Sequence, residues 1–210
     1  MHDGSWAELI TISEDAVAQK PRRLDFARAG AAPLAAITAL TAVDALAPAA
    51  GETVLVVGAA GGVGSFFVQL AADAGANVIA PALPGDHDYL RGLGVSELID
   101  RDADVAAAVR ATHPEGVDAL LDVVSPEPDT SLLADGGRLA STIGAAGDSP
   151  GRFNVVAEPT PTSLLRLAEL LDTGALQVSL QHSYELDQAG DALETLPMTH
   201  TMGKLGVTIA

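Results

Sequence analysis

Short apolar runs alternate with amphipathic segments along most of the chain, and this pattern predicts both the elements and the fold class. The runs have the length and residue types of buried strands. They are predicted as the strands of one sheet: Val54–Val57, Asn77–Ala80, Glu97–Ile99, Val117–Val123 and Arg138–Ile143. Helical spacing predicts helices between them at Val63–Ala74, Asp86–Leu93 and Val105–Thr112. This alternation indicates an α/β fold with a doubly wound parallel sheet of the Rossmann type.

Both ends of the chain carry further predicted elements. Before the sheet these are a strand at Ala7–Ile12 and helices at Asp25–Gly30 and Pro33–Leu46. After it come a helix from the capping Thr160 to Gly174, a strand at Val178–Leu180, a helix at Asp187–Leu196 stopped by Pro197, and a strand at Lys204–Ile209. Asp135–Gly137 is predicted as the turn before the fifth strand, and Gly144–Arg152 as a loop.

The glycine-rich turn Gly58–Gly64, between the first strand and its helix, carries the clearest chemistry. Gly58, Gly61 and Gly64 allow a tight turn, close approach of a pyrophosphate and close helix–strand packing. Backbone N–H groups at the helix start then point at an anion. A plain strand–turn–helix corner would give the same triplet, and the spacing differs from the commoner G-x-G-x-x-G. The flanking strand and helix favour a dinucleotide site.

Composition narrows the classes of partner. The formal net charge of −17 argues against nucleic acid and membrane partners, since both require clustered Lys and Arg. The chain has no cysteine, which excludes disulfides and thiolate zinc sites and favours a cytoplasmic location. No signal peptide is expected at Met1. The five histidines lack metal-ligand spacing, so no metal is expected, and no side chain stands out as a catalytic acid or base.

Six stretches, taken in order, carry a family resemblance. They are GSWAELITIS at Gly4–Ser13, AAPLAAITALTAVDAL at Ala31–Leu46, GETVLVVGAAGGVG at Gly51–Gly64, HDYLRGLGVSELID at His87–Asp100, ADGGRLASTIG at Ala134–Gly144 and HTMGKLGVTIA at His200–Ala210. Together they resemble the medium-chain dehydrogenase/reductase superfamily, in its zinc-independent branch of quinone oxidoreductases and enone reductases.

The resemblance implies three parts of the chain. Residues 1–30 would be a remnant of a GroES-like catalytic domain, 31–190 a Rossmann cofactor-binding domain, and 191–210 a helix end and strand that return to the remnant. Family members normally begin with a fuller GroES-like β domain that forms one wall of the substrate cleft. The strands predicted at Ala7–Ile12 and Lys204–Ile209 belong with that domain and would therefore lack partners.

The resemblance also implies a set of cofactor-binding residues. They are Thr38, Gly58, Gly61, Gly62, Val63, Gly64, Ala82, His87, Arg101, Val123, Ile143 and Gly144. For Thr38 the alternative is a hydroxyl bonded to its own helix backbone, and for His87 a surface position at a helix start. Lys204 resembles a family position close to the cleft, although a lone lysine in an acidic chain is usually solvated.

The end of the second strand bears on the choice of cofactor. NAD-dependent enzymes usually place a carboxylate there, whereas this chain has Ala80-Pro81-Ala82-Leu83. That omission favours NADP over NAD. Against this, the chain lacks the serine and basic residue that NADP-type relatives offer just beyond, so NAD stays an alternative.

The implied function is reduction of a quinone or an α,β-unsaturated carbonyl compound by hydride transfer from NAD(P)H. The main alternative is a non-catalytic NAD(P)-binding module, or a subunit that needs a separate substrate domain. An enoyl-thioester reductase is a further alternative. The expected partners are a small carbonyl or quinone substrate and a second copy of the chain, paired through the sheet edge near Val178–Leu180.

Overall fold

A computed structural model of the protein describes residues 5–209. Residues 1–4 and Ala210 lie outside this range, so the first four residues of the predicted 1–30 remnant, Gly4 of the first stretch and Ala210 of the last are not described. The structure therefore bears on the predicted elements from Ser5 to Ile209.

Six parallel strands form the main sheet. They are β1 (Thr53–Val57), β2 (Asn77–Ala82), β3 (Glu97–Asp100), β4 (Val117–Asp122), β5 (Leu133–Ser141) and β6 (Arg152–Asn154). Their spatial order is β3-β2-β1-β4-β5-β6, and every neighbouring pair is parallel. This is the order of a dinucleotide-binding Rossmann sheet. The predicted fold class is confirmed.

Seven α-helices occur in residues 5–209. They are α1 (Phe26–Ala31), α2 (Pro33–Leu46), α3 (Gly62–Asp73), α4 (His87–Leu93), α5 (Val105–Thr112), α6 (Pro161–Thr173) and α7 (Ala189–Met198). Local capping explains several of these boundaries. The Thr160 hydroxyl accepts from the Ser163 N–H at the start of α6, and Gly174 ends that helix in a left-handed conformation.

The strands divide their side chains between two cores. Val54 and Val56 point to one face, where α2, α3 and α6 cover them. Leu55 points to the other face and packs with Val109 of α5. The chain has few aromatics, so small side chains fill much of the first core. The buried alanines of α2 allow it to lie close to α3.

A separate two-stranded sheet consists of β7 (Leu180–Glu185) and β8 (Lys204–Thr208), which are parallel. Helix α7 connects them, so the end of the chain is one βαβ unit. The expectation that the last strand lacks a partner is therefore wrong. The strand predicted at Val178–Leu180 starts later in the structure. Its strand β7 begins at Leu180, whereas Val178 is buried in the first core.

The edge of the main sheet differs from the predicted one. Val178–Leu180 does not border that sheet, whose outer strand beyond β5 is β6. Strand β6 begins at Arg152, the last residue of the predicted loop Gly144–Arg152, and was not predicted. Three residues are too short to show a strand pattern in the sequence. The homodimer itself stays a prediction.

Three local predictions are corrected. Ala7–Ile12 is not a strand: its side chains are exposed, and Leu9 is 91% exposed, because no neighbouring strand is there to pair with. Asp135–Gly137 lies inside β5, where a register shift against β4 absorbs the extra residues. Helix α7 continues past Leu196 to Met198. A proline fixes φ near the helical value and loses only one hydrogen bond when it lies in the last turn.

The glycine turn brings α3 directly onto the end of β1. Gly58 has φ +87°, a left-handed conformation that favours glycine. A Cβ on Gly64 would overlap the Gly58 carbonyl oxygen and lie 2.7 Å from the Ala59 Cα. These are backbone atoms, so the strand or the helix would have to move. Helix α3 can therefore lie this close to β1 only because residue 64 has no side chain.

Replacement of Gly64 by alanine should destabilise the fold. We expect Gly64→Ala to lower the free energy of unfolding by about 1–3 kcal/mol, since overpacking against backbone forces a shift. Urea denaturation followed by far-UV circular dichroism measures the change. Gly92→Ala is the matched control, because no atom lies within 4 Å of the added Cβ in α4. Equal stability of the two variants would contradict this account of the turn.

Candidate functional site

A cleft of about 490 Å³ opens at the carboxyl ends of β1, β2 and β4. We call it the switch-point cleft, because the strand order reverses between β1 and β4. Its lining is mostly apolar. The lining residues are Val57, Gly58, Ala59, Ala60, Gly61, Pro81, Ala82, Asp86, Arg101, Val123, Val124, Thr199, His200 and Thr201.

The glycine turn forms the floor of this cleft. A Cβ on Gly58 would lie 2.5 Å from Cγ2 of Val123, so a side chain there would clash with the opposite wall. Gly61 is the N-cap of α3 and offers no capping side chain, which leaves the N–H groups of the first turn without an intrahelical acceptor. Such N–H groups and the helix dipole favour a bound anion.

Three titratable side chains line the switch-point cleft: Asp86, Arg101 and His200. The Asp86 carboxylate is only 4% exposed and contacts Nε2 of His200 at 2.7 and 2.9 Å. Arg101 is half-exposed, and its Nε lies 3.8 Å from the Asp102 carboxylate. The backbone N–H of Arg101 donates to the carbonyl of Ala82, which holds this residue beside the end of β2.

The segment before β8 reaches the cleft through one backbone contact. The N–H of Gly203 donates to the carbonyl oxygen of Ala60 at 2.8 Å. This bond joins the β7–β8 unit to the glycine turn. It places His200 on one side of the turn and Lys204 on the other.

A second cleft, of about 410 Å³, lies on the other side of α3's first turn. We call it the Thr38 cleft. Its lining residues are Leu34, Ala35, Thr38, Gly62, Val63, Thr142, Val155, Val156, Ala157 and Lys204. The Thr38 hydroxyl donates to the Leu34 carbonyl oxygen at 2.8 Å, as the alternative prediction for this residue stated. Its oxygen retains lone pairs that can accept from a ligand.

Lys204 is the charged side chain of the Thr38 cleft. A Cβ on Gly62 would lie 2.8 Å from the Lys204 Cδ and 3.3 Å from its Nζ, so the lysine stem crosses the start of α3. Burial lowers the pKa of Lys204 below its usual value of 10.5, because desolvation disfavours the ammonium form. An anion beside α3 would compensate that ammonium.

Lys204 also borders an apolar groove of about 270 Å³ between α7 and β8. We call it the α7 groove. Its lining residues are Trp6, Gly62, Ala192, Leu193, Leu196, Thr201, Gly203, Lys204, Leu205, Gly206 and Val207. Trp6, Leu193 and Leu196 are each about half-exposed.

The structure brings most of the predicted site residues to these two clefts. Those in the switch-point cleft are Gly58, Gly61, Ala82, Arg101 and Val123. Those in the Thr38 cleft are Thr38, Gly62 and Val63. Whether they bind a cofactor stays a prediction.

Four predicted residues line neither cleft. Gly64 is buried beneath the Gly58 carbonyl. The Nε2 atom of His87 is buried and has no hydrogen-bond partner in the described part of the chain. Ile143 and Gly144 follow β5, where Thr142 is the residue that reaches the Thr38 cleft. Their roles as cofactor contacts stay predictions.

The Asp86–His200 pair was not predicted from the sequence. Asp86 lies between Gly85 and His87 and reads as a surface residue, and His200 is far from it in the chain. No local spacing signals a contact between residues so far apart. The only hint in the sequence was the position of His200, just before the GKL stretch that resembles the family.

Within residues 5–209, no group of three or more His, Asp or Glu side chains is arranged to hold a metal ion. None of the helices in the same range has the length and apolarity needed to cross a membrane.

Known proteins match the chain over nearly its whole length. The chain is 30% identical to a 2-methylene-furan-3-one reductase of Solanum lycopersicum over 96% of its own residues and 52% of that protein. It is 28% identical to an NADPH-dependent alkenal/one oxidoreductase, chloroplastic, of Arabidopsis thaliana, over 97% of its residues and 53% of that protein. The chain thus spans about half the length of these curated relatives.

A solved structure shows the same fold. The quinone oxidoreductase from Coxiella burnetii superposes with a TM-score of 0.83 at 28% identity, over 94% of this chain and 65% of the other. A profile of the family described as zinc-binding dehydrogenase matches residues 93–205, which is more than half of the chain. This confirms the resemblance to the medium-chain dehydrogenases/reductases, and the chain belongs to the zinc-binding dehydrogenase family.

Proposed function

We propose that this chain is the cofactor-binding portion of an NADPH-dependent reductase of quinones or α,β-unsaturated carbonyl compounds. The observation that carries the proposal is the glycine turn at the switch point, where α3 begins with free N–H groups beside an open cleft. The relatives named as an alkenal/one oxidoreductase, a furanone reductase and a quinone oxidoreductase support the substrate class.

The residues present fit a dinucleotide in three places. The first turn of α3, opened by Gly61, would hold the pyrophosphate, with Lys204 as the adjacent cation. The switch-point cleft near Ala82 and Arg101 would hold the adenosine half. The Thr38 cleft, which is apolar apart from its hydroxyls and Lys204, would hold the nicotinamide.

In such a reductase the bound NADPH supplies the hydride. The chain's own residues bind and orient it. The Thr38 hydroxyl is placed to accept a hydrogen bond from a carboxamide, and the apolar side chains of Val63 and Val155 exclude water from the same cleft. The lack of cysteine supports the assignment to the zinc-independent branch. A cytoplasmic location is part of the same proposal.

The domain division supports a second candidate, a cofactor-binding module that needs a separate substrate domain. We assign residues 31–190 to the Rossmann domain, and 1–30 and 191–210 to the flanking catalytic part. The boundary at residue 190 falls within α7, so the β7–α7–β8 unit spans it. Large apolar side chains are exposed in these flanks, among them Leu9, Ile12 and Met198. Exposed apolar groups around the α7 groove suit contact with another domain. A homodimer through the free edge of β6 is a further proposal.

Gly61→Ala tests the cofactor site without disturbing the fold. The backbone of Gly61 is extended, and its added Cβ would meet only the Gly58 carbonyl oxygen, at 3.5 Å. The methyl group would nevertheless occupy the space where a pyrophosphate approaches α3. We expect the affinity for NADPH to fall by about tenfold or more, which corresponds to about 1.4 kcal/mol. Fluorescence titration with NADPH and NADH measures it.

The outcome of that titration decides the proposal. A folded wild-type chain that binds neither cofactor would overturn the assignment of a dinucleotide site. Unchanged affinity in Gly61→Ala would show that the pyrophosphate is not held at this turn. Circular dichroism of the variant, which should match the wild type, is the control for folding.

Lys204→Gln should weaken dinucleotide binding by about tenfold to a hundredfold, because it removes a charge-assisted hydrogen bond. The wild-type affinity should also fall as the pH rises through the lowered pKa of Lys204, since the ammonium is lost below 10.5. Calorimetric titration with NADPH measures both effects. Arg166→Gln, which removes an equal charge at a residue that lines neither cleft, should change little.

The lowered pKa of Lys204 also predicts how the stability of the fold depends on pH. The unfolded chain retains the Lys204 proton up to a higher pH than the folded chain, so stability should rise as the pH approaches 10.5. Lys204→Gln should remove this rise and should not lower the thermal midpoint at neutral pH. A marked loss of stability in the variant would show that the ammonium is paired within the protein.

Turnover distinguishes the enzyme from the binding module. We expect the chain to bind NADPH, and a complex with a substrate domain to oxidise it in the presence of an enone or a quinone. The absorbance of the reduced nicotinamide follows the reaction. Binding without turnover of enone, quinone or enoyl thioester by the isolated chain favours the module. Turnover of the thioester alone favours the enoyl-thioester reductase.

A further inference from the structure

Thiol and amine side chains are scarce in this protein. The sequence has no cysteine and two lysines, Lys20 and Lys204. Thiols and amines are among the side chains that attack electrophilic carbon and form covalent bonds to it. Any covalent reaction of this kind therefore has few places to occur, and the structure puts the two lysines in different surroundings.

Lys204 lies beside two apolar spaces at once. It is a lining residue of both the Thr38 cleft and the α7 groove. Its backbone N–H donates to the Ser179 carbonyl oxygen at 2.9 Å, which fixes the residue at the start of β8. Among residues 5–209 its Nζ atom forms no ion pair and no hydrogen bond. The nitrogen is thus held next to apolar space without a polar partner from this part of the chain.

These surroundings make Lys204 a better nucleophile than a solvated lysine. The lysine stem crosses the start of α3 beside Gly62 and is half-buried there. Desolvation lowers the pKa of Lys204 below 10.5, so a larger share of the side chain is the neutral amine with a free lone pair. An apolar electrophile gains contacts in the same place, because both linings are largely apolar. The amine and the electrophile are therefore brought together.

Lys20 provides the contrast within the same chain. It is half-buried as well, but its Nζ donates to the carbonyl oxygens of Pro21, at 2.8 Å, and Leu24. The same nitrogen lies 5.3 Å from the centroid of the Phe26 ring. Carbonyl oxygens and the face of an aromatic ring attract an ammonium group, which has no lone pair for attack. Lys20 also lines neither of the two clefts nor the α7 groove.

We propose that Lys204 is a site of covalent conjugate addition by α,β-unsaturated carbonyl compounds when no dinucleotide is bound. The lone pair of Nζ forms a bond to the β-carbon of the enone, and the π pair of the C=C bond moves to the carbonyl oxygen as an enolate. A proton then leaves the nitrogen and one is added to the α-carbon. The products are a secondary amine and a saturated ketone, so the reaction needs no oxidant or reductant.

The inference rests on the proposed function, which supplies this class of compound and places a pyrophosphate beside Lys204. A pyrophosphate at the start of α3 would hold the side chain as the ammonium ion, which cannot add to an enone. An enone that reaches Lys204 first would instead leave its carbon chain beside α3, where the pyrophosphate would lie. The proposed substrate class is then also an inactivator of the cofactor-free chain.

Peptide mapping by mass spectrometry after reaction with pentyl vinyl ketone tests the proposal. In the folded wild type, the adduct at Lys204 should form faster than the adduct at Lys20 by about tenfold or more. Methyl vinyl ketone has the same reactive group without the long apolar chain and should give a smaller ratio. Ethyl pentyl ketone, which is saturated, should give no stable adduct. In the urea-unfolded chain the two lysines should react at similar rates.

Two variants assign the fast reaction to one side chain. Lys204→Gln should abolish the fast adduct in the mass of the whole protein. Lys20→Gln is the matched control, because it removes the other lysine, and it should keep the fast adduct at the wild-type rate. Far-UV circular dichroism of both variants should match the wild type.

Protection by NADP⁺, which carries no hydride to transfer, separates this inference from the proposed function. Slower reaction of Lys204, but not of Lys20, in its presence supports both. Fast reaction of Lys204 that NADP⁺ does not slow supports the covalent site and contradicts the placement of the pyrophosphate beside it. Equal rates at the two lysines in the folded chain, or a fast adduct that persists in Lys204→Gln, would overturn the inference, while titration with NADPH still decides the proposed function.

Discussion

The close approach of α3 to β1 is the constraint on which the site depends. Gly64 has no room for a side chain beneath the Gly58 carbonyl, and the turn between them requires the left-handed backbone of Gly58. This contact puts the start of α3 at the edge of the sheet between β1 and β4. The first-turn N–H groups of α3 therefore lie between two clefts, and the positions of both follow from one backbone contact.

Local signals predicted most elements, and long-range contacts account for the errors. Proline and capping residues mark helix ends within a few residues, so the bounds of α2 (Pro33–Leu46) agree with the structure. Ala7–Ile12 has a strand pattern but no partner, and only the fold decides that. For the site, the glycine turn was recognisable because its chemistry is contiguous in sequence. The Asp86–His200 contact was not, since it exists only after β8 is placed beside the turn.

The acidity of the chain changes how an anionic ligand can be bound. At physiological ionic strength the screening length is about 8 Å, so most surface carboxylates act weakly at the site. Affinity then depends on groups within the clefts: backbone N–H groups, the half-buried Lys204, and the Arg101 and His200 side chains. Such groups are few. Each would therefore have a large effect on the binding of an anionic ligand.

The two clefts differ in chemistry, and this difference limits what the chain can do alone. The switch-point cleft contains the charged residues, and it is suited to binding and discrimination. The Thr38 cleft is nearly apolar, and Lys204, its one charged residue, also borders the α7 groove, where Trp6 and Leu193 are exposed. Hydride transfer requires water to be excluded from the reacting face. Because that side carries exposed apolar groups, the proposed reductase would be completed by the covering of the α7 groove and the Thr38 cleft by a second protein surface.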